Sequence, residues 1–202
     1  MNPFLASRIS VLFAAMAIAL AALMAAPLPA SAQTEVPTAV QALNPENVLV
    51  ITVSAGPIYV ELLPEVAPQH VERIKTLASE GFYDGVVFHR VIDGFMAQTG
   101  DPTGTGTGGS NYPDLPAEFS QIPYERGVVG MARTNNPNSA NSQFFIMFGP
   151  APSLNGQYTV FGRVVDGMGA VDAIKKGDAR RNGMVAEPDA MLSVRLLSDL
   201  AG

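Results

Sequence analysis

Arg90, Gln98 and Gln143 are the side chains whose neighbours best suit them to chemistry. The stretch from Phe88 to Asp101, FHRVIDGFMAQTGD, sets one cation and one amide among aromatics and aliphatics, and SQFFIM, from Ser142 to Met147, sets Gln143 beside Phe144 and Phe145. An arginine carries five donors in a rigid fork and is always charged, so in apolar company it needs a partner. That partner is either a structural ion pair, with Asp101 or Glu118, or a ligand. If Arg90, Met96, Gln98 and Gln143 face one concavity, they make an apolar pocket with a cation and two amides at its rim. Such a site binds and polarises, and it needs no covalent nucleophile.

Other chemistries find little support. His89, Asp93 and Ser110 suggest a hydrolase triad, but the nucleophile-elbow motif G-x-S-x-G is missing. Strand alternation sends His89 and Arg90 to opposite faces, and a structural hydrogen bond is the expected role of His89. The apolar stretches carry no carboxylate pair for glycoside chemistry, only Asp93 and Asp101 near their ends. With no cysteine and two histidines far apart, His70 and His89, a metal site lacks ligands, and none is expected. Gly104, Gly106 and Gly109 satisfy G-x-G-x-x-G, but Pro113 and Pro116 forbid the helix a dinucleotide site would open, and no phosphate-cradling Gly-Lys-Ser/Thr occurs.

The elements that must position the pocket are mostly short strands. Residues 47–53 and 57–63 are β-branched runs parted by Ser54-Ala55-Gly56, a hairpin signal. Apolar runs at 86–92, 95–99, 128–132, 143–148, 159–165 and 191–197, each bounded by Gly, Pro, Asn or Asp, suit an antiparallel sheet curled into a barrel. Residues 64–80 switch to helical spacing, with Val71, Ile74, Leu77 and Ala78 on one face, so His70 is expected to face water. Met168, Val171 and Ile174 mark a second short helix. Two long irregular stretches, 100–116 and 133–141, belong to the kind of loop that serves a site. Lys175, Lys176, Arg180 and Arg181 read as a solvated loop.

Residues 1–32 read as a secretory signal peptide: Arg8, an apolar run over Ile9–Leu23, then Pro27, Pro29 and Ala30-Ser31-Ala32 as a cleavage site. The alternative, an uncleaved anchor, needs a span of ~20 residues. Residues 33–46 are expected to be a mobile linker, and 47–202 one domain. The 170 residues after the leader suit a single core that buries about 70% of the unfolded surface. Their 11 basic and 18 acidic side chains leave a net charge of −7, which argues against nucleic acid as partner. A periplasmic protein is expected, with free secretion also fitting, and with no membrane association once processed.

FHRVIDGFMAQTGD, the glycine-rich loop after it, GVVGMARTNNPNSANSQFFIM over 127–147 and VFGRVVDGM over 160–168 together resemble a cyclophilin, in family order and over about 48–197. The resemblance implies a mostly β fold, a closed eight-stranded antiparallel barrel capped by two α-helices. It also implies peptidyl-prolyl cis-trans isomerase activity on X-Pro-containing polypeptides, by a monomer without cofactor. The family's catalytic arginine falls on Arg90, with Gln98 to orient it and bond the peptide. Its substrate pocket falls on Phe88, Phe95, Met96, Ala132, Gln143, Phe145 and Leu154, and its less constant positions on Arg133 and Tyr158.

Two departures stand out. Ser153 replaces the tryptophan many cyclophilins have before the Leu-Asp-Gly segment, here Leu154-Asn155-Gly156, and Tyr158 replaces a histidine. Loss of the indole argues against the family's cyclosporin affinity, whereas the arginine and proline pocket are kept. The competing function is a binding module that captures proline-bearing segments as a holdase or adaptor without turnover. The intact Arg90 and Gln98 argue against it.

Overall fold

The computed structural model describes residues 36–200; the leader and its cleavage site lie outside the described residues. The expected mobile linker is seated from Val36 onward. A four-residue helix, α1 (Thr38–Gln41), is followed by a 3-10 turn at Pro45–Asn47 that Asn44 caps by accepting from the Glu46 N–H at 3.1 Å. Val40 is fully buried, and Val36 and Leu43 pack with it against Val48, Val50 and Tyr59. Apolar side chains spaced along a proline-bearing segment gave it a face to dock.

All eight expected strands form: β1 (Val48–Val53), β2 (Gly56–Leu62), β3 (Arg90–Ile92), β4 (Met96–Thr99), β5 (Val128–Met131), β6 (Phe144–Met147), β7 (Val160–Asp166) and β8 (Ser193–Leu196). They make one antiparallel sheet in the order β3-β4-β6-β5-β7-β2-β1-β8. The sheet curls into an open half-barrel, not the expected closed barrel, because its end strands β3 and β8 do not pair. Irregular chain between them takes up the edge groups instead: Val91 N donates to Gly183 O, Gly177 N to Val91 O, Val185 N to His89 O, and Met191 N to Val86 O. Backbone donors at a strand edge need acceptors, and a loop satisfies them as well as a ladder does.

Alternation along each strand feeds two apolar clusters. Leu49, Ile51, Ala97, Val129, Met131, Phe144, Ile146 and Phe161 point inward to the main core. Met96, Val128, Phe145, Met147 and Val160 point to the other face and meet Tyr124 and Ala151. The inner face is covered by α2 (Pro68–Ser79) through Val71, Ile74, Leu77 and Ala78, and by α3 (Met168–Ala173) through Ala170 and Val171. These are the two expected helices; α1 and α4 (Leu197–Leu200) are additional single turns.

His70 departs from expectation. It is fully buried, with Nδ1 2.6 Å from Glu118 Oε2. Residues 70, 74, 77 and 78 share one helical face, so the imidazole lies on the covered side, where the carboxylate satisfies one of its nitrogens. Burial lowers its pKa from the ordinary value, against the pull of Glu118.

Candidate active site

The register of β3, β4, β6 and β5 builds the site. Arg90 pairs with Gln98, Gln98 with Phe145 and Phe145 with Gly130, so these residues form one row across four strands. Two-residue spacing adds Met96 beside Gln98 and Gln143 beside Phe145 on the same face. Gly130 must be glycine, because a Cβ there would run into the Tyr124 hydroxyl and come within 2.8 Å of the Phe145 ring.

The row opens into a hollow of about 210 Å³ lined by Arg90, Phe95, Met96, Gln98, Ala132, Arg133, Phe145, Leu154 and Tyr158. That volume is several times the roughly 30 Å³ share of one water, so it has room for a ring-sized group. Tyr124 stacks on Phe145 at 5.6 Å, and Tyr158 meets Phe145 edge-on at 5.9 Å. Arg133 lies 4.2 Å over the Tyr158 ring and donates to Gln157 O at 2.8 Å, which stiffens that wall. Leu154 arrives on a 3-10 turn, Pro152–Leu154.

Among the described residues, Arg90 is held only by uncharged acceptors. Nη1 donates to Gln98 Oε1 at 3.1 Å and lies 3.9 Å from Met96 Sδ, Nη2 donates to Asn182 Oδ1 at 3.0 Å, and Nε to Asn182 O at 3.0 Å. The ion-pair alternative does not hold, since both carboxylates it named are engaged elsewhere. Glu118 binds His70, and Asp101 accepts from the amides of Thr103, Thr105, Gly106 and Gly108. Burial opposes the Asp101 charge, but Thr103 and the Gly108 and Gly106 amides outweigh it and hold the carboxyl down to about 2. Burial lowers the Arg90 pKa from a value so high that the guanidinium stays charged. Among the described residues, Nη2 keeps one N–H without a partner, and the second N–H of Nη1 meets only Met96 Sδ.

The amides form a directed chain. Gln143 Nε2 donates to Gly106 O at 3.1 Å and Gly108 O at 2.8 Å, and Gln98 Nε2 donates to Gln143 Oε1 at 2.9 Å. Gln143 thereby turns its oxygen to Gln98, and Gln98 turns its own to Arg90. The two long loops line a second, more polar hollow of about 470 Å³, reached past Gln98, Ala132 and Arg133 and bounded by Thr107, Asn141 and Gln143.

Nine of the eleven residues named from sequence meet around the 210 Å³ hollow, and Gln143 stands behind it. Phe88 does not: it is fully buried in the main core, because residues 88 and 89 precede β3 and alternation does not carry Phe88 to the face of Arg90. His89 also differs, for its buried ring nitrogens have no hydrogen-bond partner among the described residues. Its ring instead packs under Gly106, where a Cβ would sit 3.4 Å from Cδ2. Asn182 was missed; its only signal was an Asn-Gly pair inside a loop that looked merely solvated.

The family described as cyclophilin type peptidyl-prolyl cis-trans isomerase matches residues 48–196. A probable peptidyl-prolyl cis-trans isomerase of Brucella suis is 56% identical over 169 residues, covering 78% of this chain and 86% of the relative. Peptidyl-prolyl cis-trans isomerase-like 3 of Rattus norvegicus is 46% identical over 125 residues, 60% of this chain and 77% of the relative. A cyclophilin from Hirschia baltica superposes with a TM-score of 0.69 at 28% identity, covering 78% of this chain and 76% of that one. A cyclophilin-type isomerase of Cryptosporidium parvum, solved in the presence of the dipeptide Ala-Pro, gives 0.67 at 29% identity, covering 74% and 98%. The strand row, the hollow and the sequence match agree: the chain belongs to the cyclophilin-type peptidyl-prolyl cis-trans isomerases.

Proposed function

We propose that this isomerase is exported and turns X-Pro bonds in folding or unfolded proteins, with Arg90 as the catalytic residue. Rotation about an X-Pro bond must break amide resonance, against a barrier of ~20 kcal/mol, and unaided takes tens to hundreds of seconds. Nothing covalent needs to form; the enzyme has only to hold the twisted peptide better than either planar isomer.

In the twisted state the proline nitrogen regains a lone pair. A donor aimed there gains strength where resonance has been lost, and a charge-assisted bond of about 1.5–3 kcal/mol is worth roughly one to two decades of rate. The observation that carries this reading is a guanidinium that keeps an uncommitted N–H on Nη2 among the described residues, beside a 210 Å³ hollow walled on its apolar side by Phe95, Met96, Phe145 and Leu154, and fixed by neutral acceptors that leave its charge intact. Phe95, Met96, Phe145 and Leu154 hold the proline ring and exclude water. The Ala132 N–H is already given to Gln143 O at 2.9 Å, so its carbonyl and the Arg133 backbone bind the residue before proline.

Export rests on the leader in the sequence. The test is N-terminal sequencing and fractionation of the cell-made protein, with a coupled isomerisation assay on a short X-Pro peptide. A chain beginning at Gln33 in the periplasm that speeds isomerisation is expected. A cytoplasmic chain still carrying its leader contradicts export, and a rate no faster than background contradicts the catalytic reading.

A further inference from the structure

We propose that Asn182 is a positioning residue for the isomerase reaction, a neutral double acceptor that sets the plane of the Arg90 guanidinium; this rests on the catalytic role of Arg90. Gln98 accepts from one terminal nitrogen, and a single bond of that kind leaves the guanidinium free to swing about it. Asn182 takes the opposite edge at two points, its backbone oxygen on Nε and its side-chain oxygen on Nη2, both at 3.0 Å. Three fixed points on a rigid planar fork define its orientation. An unrestrained arginine of four torsions would otherwise give up rotamer entropy on reaching the same pose.

One residue can accept twice because of its backbone. Asn182 sits in the left-handed region at φ 54°, ψ 34°, which asparagine tolerates better than most residues. The turn that imposes this is tied to the strand that carries Arg90. Asp178 caps it by accepting from Arg180 N at 2.9 Å, and Gly183 N donates to Asp178 O at 2.9 Å. Val91 N donates to Gly183 O at 2.8 Å and Gly177 N to Val91 O at 2.9 Å, while Met184 bridges Arg90 itself. Gly183, at φ 78°, packs so closely that a Cβ would run into Ile92. Asn182 is therefore held in a fixed relation to β3 although the loop around it is exposed. Its amide supplies acceptors without the charge an aspartate would bring, so the guanidinium keeps its field for the substrate.

The test is turnover and binding of a short Ala-Pro peptide by Asn182→Gly and Asn182→Asp, with thermal unfolding of each. Glycine keeps the left-handed backbone and its oxygen but removes the Nη2 acceptor; aspartate keeps the shape and adds a charge. A fall in kcat of about fivefold is expected for both, with KM within twofold and the unfolding midpoint unchanged. A wild-type kcat in either variant, or a loss that tracks a lowered midpoint, overturns the proposal. Arg90→Ala, assayed alongside, separates the two claims. If it turns over like wild type, the catalytic role of Arg90 fails; if it is inactive while both Asn182 variants match wild type, only the positioning role fails.

Discussion

The direction of the two glutamine amides follows from a chain of acceptors that begins in the glycine-rich loop. Asp101 gathers the amides of Thr103, Thr105, Gly106 and Gly108, the Gly106 and Gly108 carbonyls then take both protons of the Gln143 amide, and the remaining oxygens pass the same polarity to Gln98 and Arg90. Gln98→Glu breaks this at its centre. Its carboxylate would neutralise Arg90 and face the Gln143 oxygen without a donor between them, so kcat/KM is expected to fall by about tenfold or more in the coupled assay, the cost of one charge-assisted bond. A wild-type kcat/KM in Gln98→Glu would show that Arg90 needs neither the amide nor its own free charge. At this scale the sequence was legible where a polar group stood among apolar ones. Arg90, Gln98 and Gln143 announced themselves; Asn182 did not, because its value comes from a backbone conformation and a partner 92 positions away.

The strands were legible as elements because their β-branched and aromatic runs are short and well punctuated. The start of α2 was not, for its cap is remote. Ala67 offers no side-chain acceptor, and Glu118 supplies one from a loop: Oε1 accepts from Gln69 N and Nε2, Oε2 from His70 N and Nδ1, and Glu118 N donates to Thr159 Oγ1 at 3.0 Å. A carboxylate at a helix N-terminus satisfies orphan amides and suits the dipole. Glu118→Ala strips these amides and the buried imidazole of their acceptor. The expected cost is about 3 kcal/mol, a cap plus an unsatisfied buried donor. For a domain of this size that lowers the thermal midpoint by roughly 6–12 °C. A midpoint within 2 °C of wild type, read by circular dichroism, would contradict the capping role.

For the molecule as a whole, pattern gave the strand count and the antiparallel class but not the closure. Whether end strands pair depends on register and on what the intervening chain does, and here the segment before β8 fills the gap beside β3 with single bonds. Stability with pH is likewise a property of the whole fold. His70 and His89 have pKa values lowered first by burial, and Asp101 and Glu118 have theirs lowered by hydrogen bonds that overcome burial. All four depress the folded value, so each contributes stability above its unfolded pKa and loses it as pH falls. The midpoint should be level above about pH 7, fall as the imidazoles take up protons below about 6.5, and fall again below about 4 as the carboxylates do. A midpoint that rises between pH 7 and 5 in thermal scans would contradict this assignment.

The central claim is that Arg90 acts on the turning bond and not merely on the bound peptide. Exchange NMR on one X-Pro peptide, with wild type and Arg90→Ala, reads both quantities at once: the rate of cis-trans exchange on the enzyme, and the Kd. The expected result is an exchange rate lower by about one to two decades with Kd changed less than about threefold. A variant that exchanges its bound peptide at the wild-type rate would contradict the account, whatever happened to its affinity.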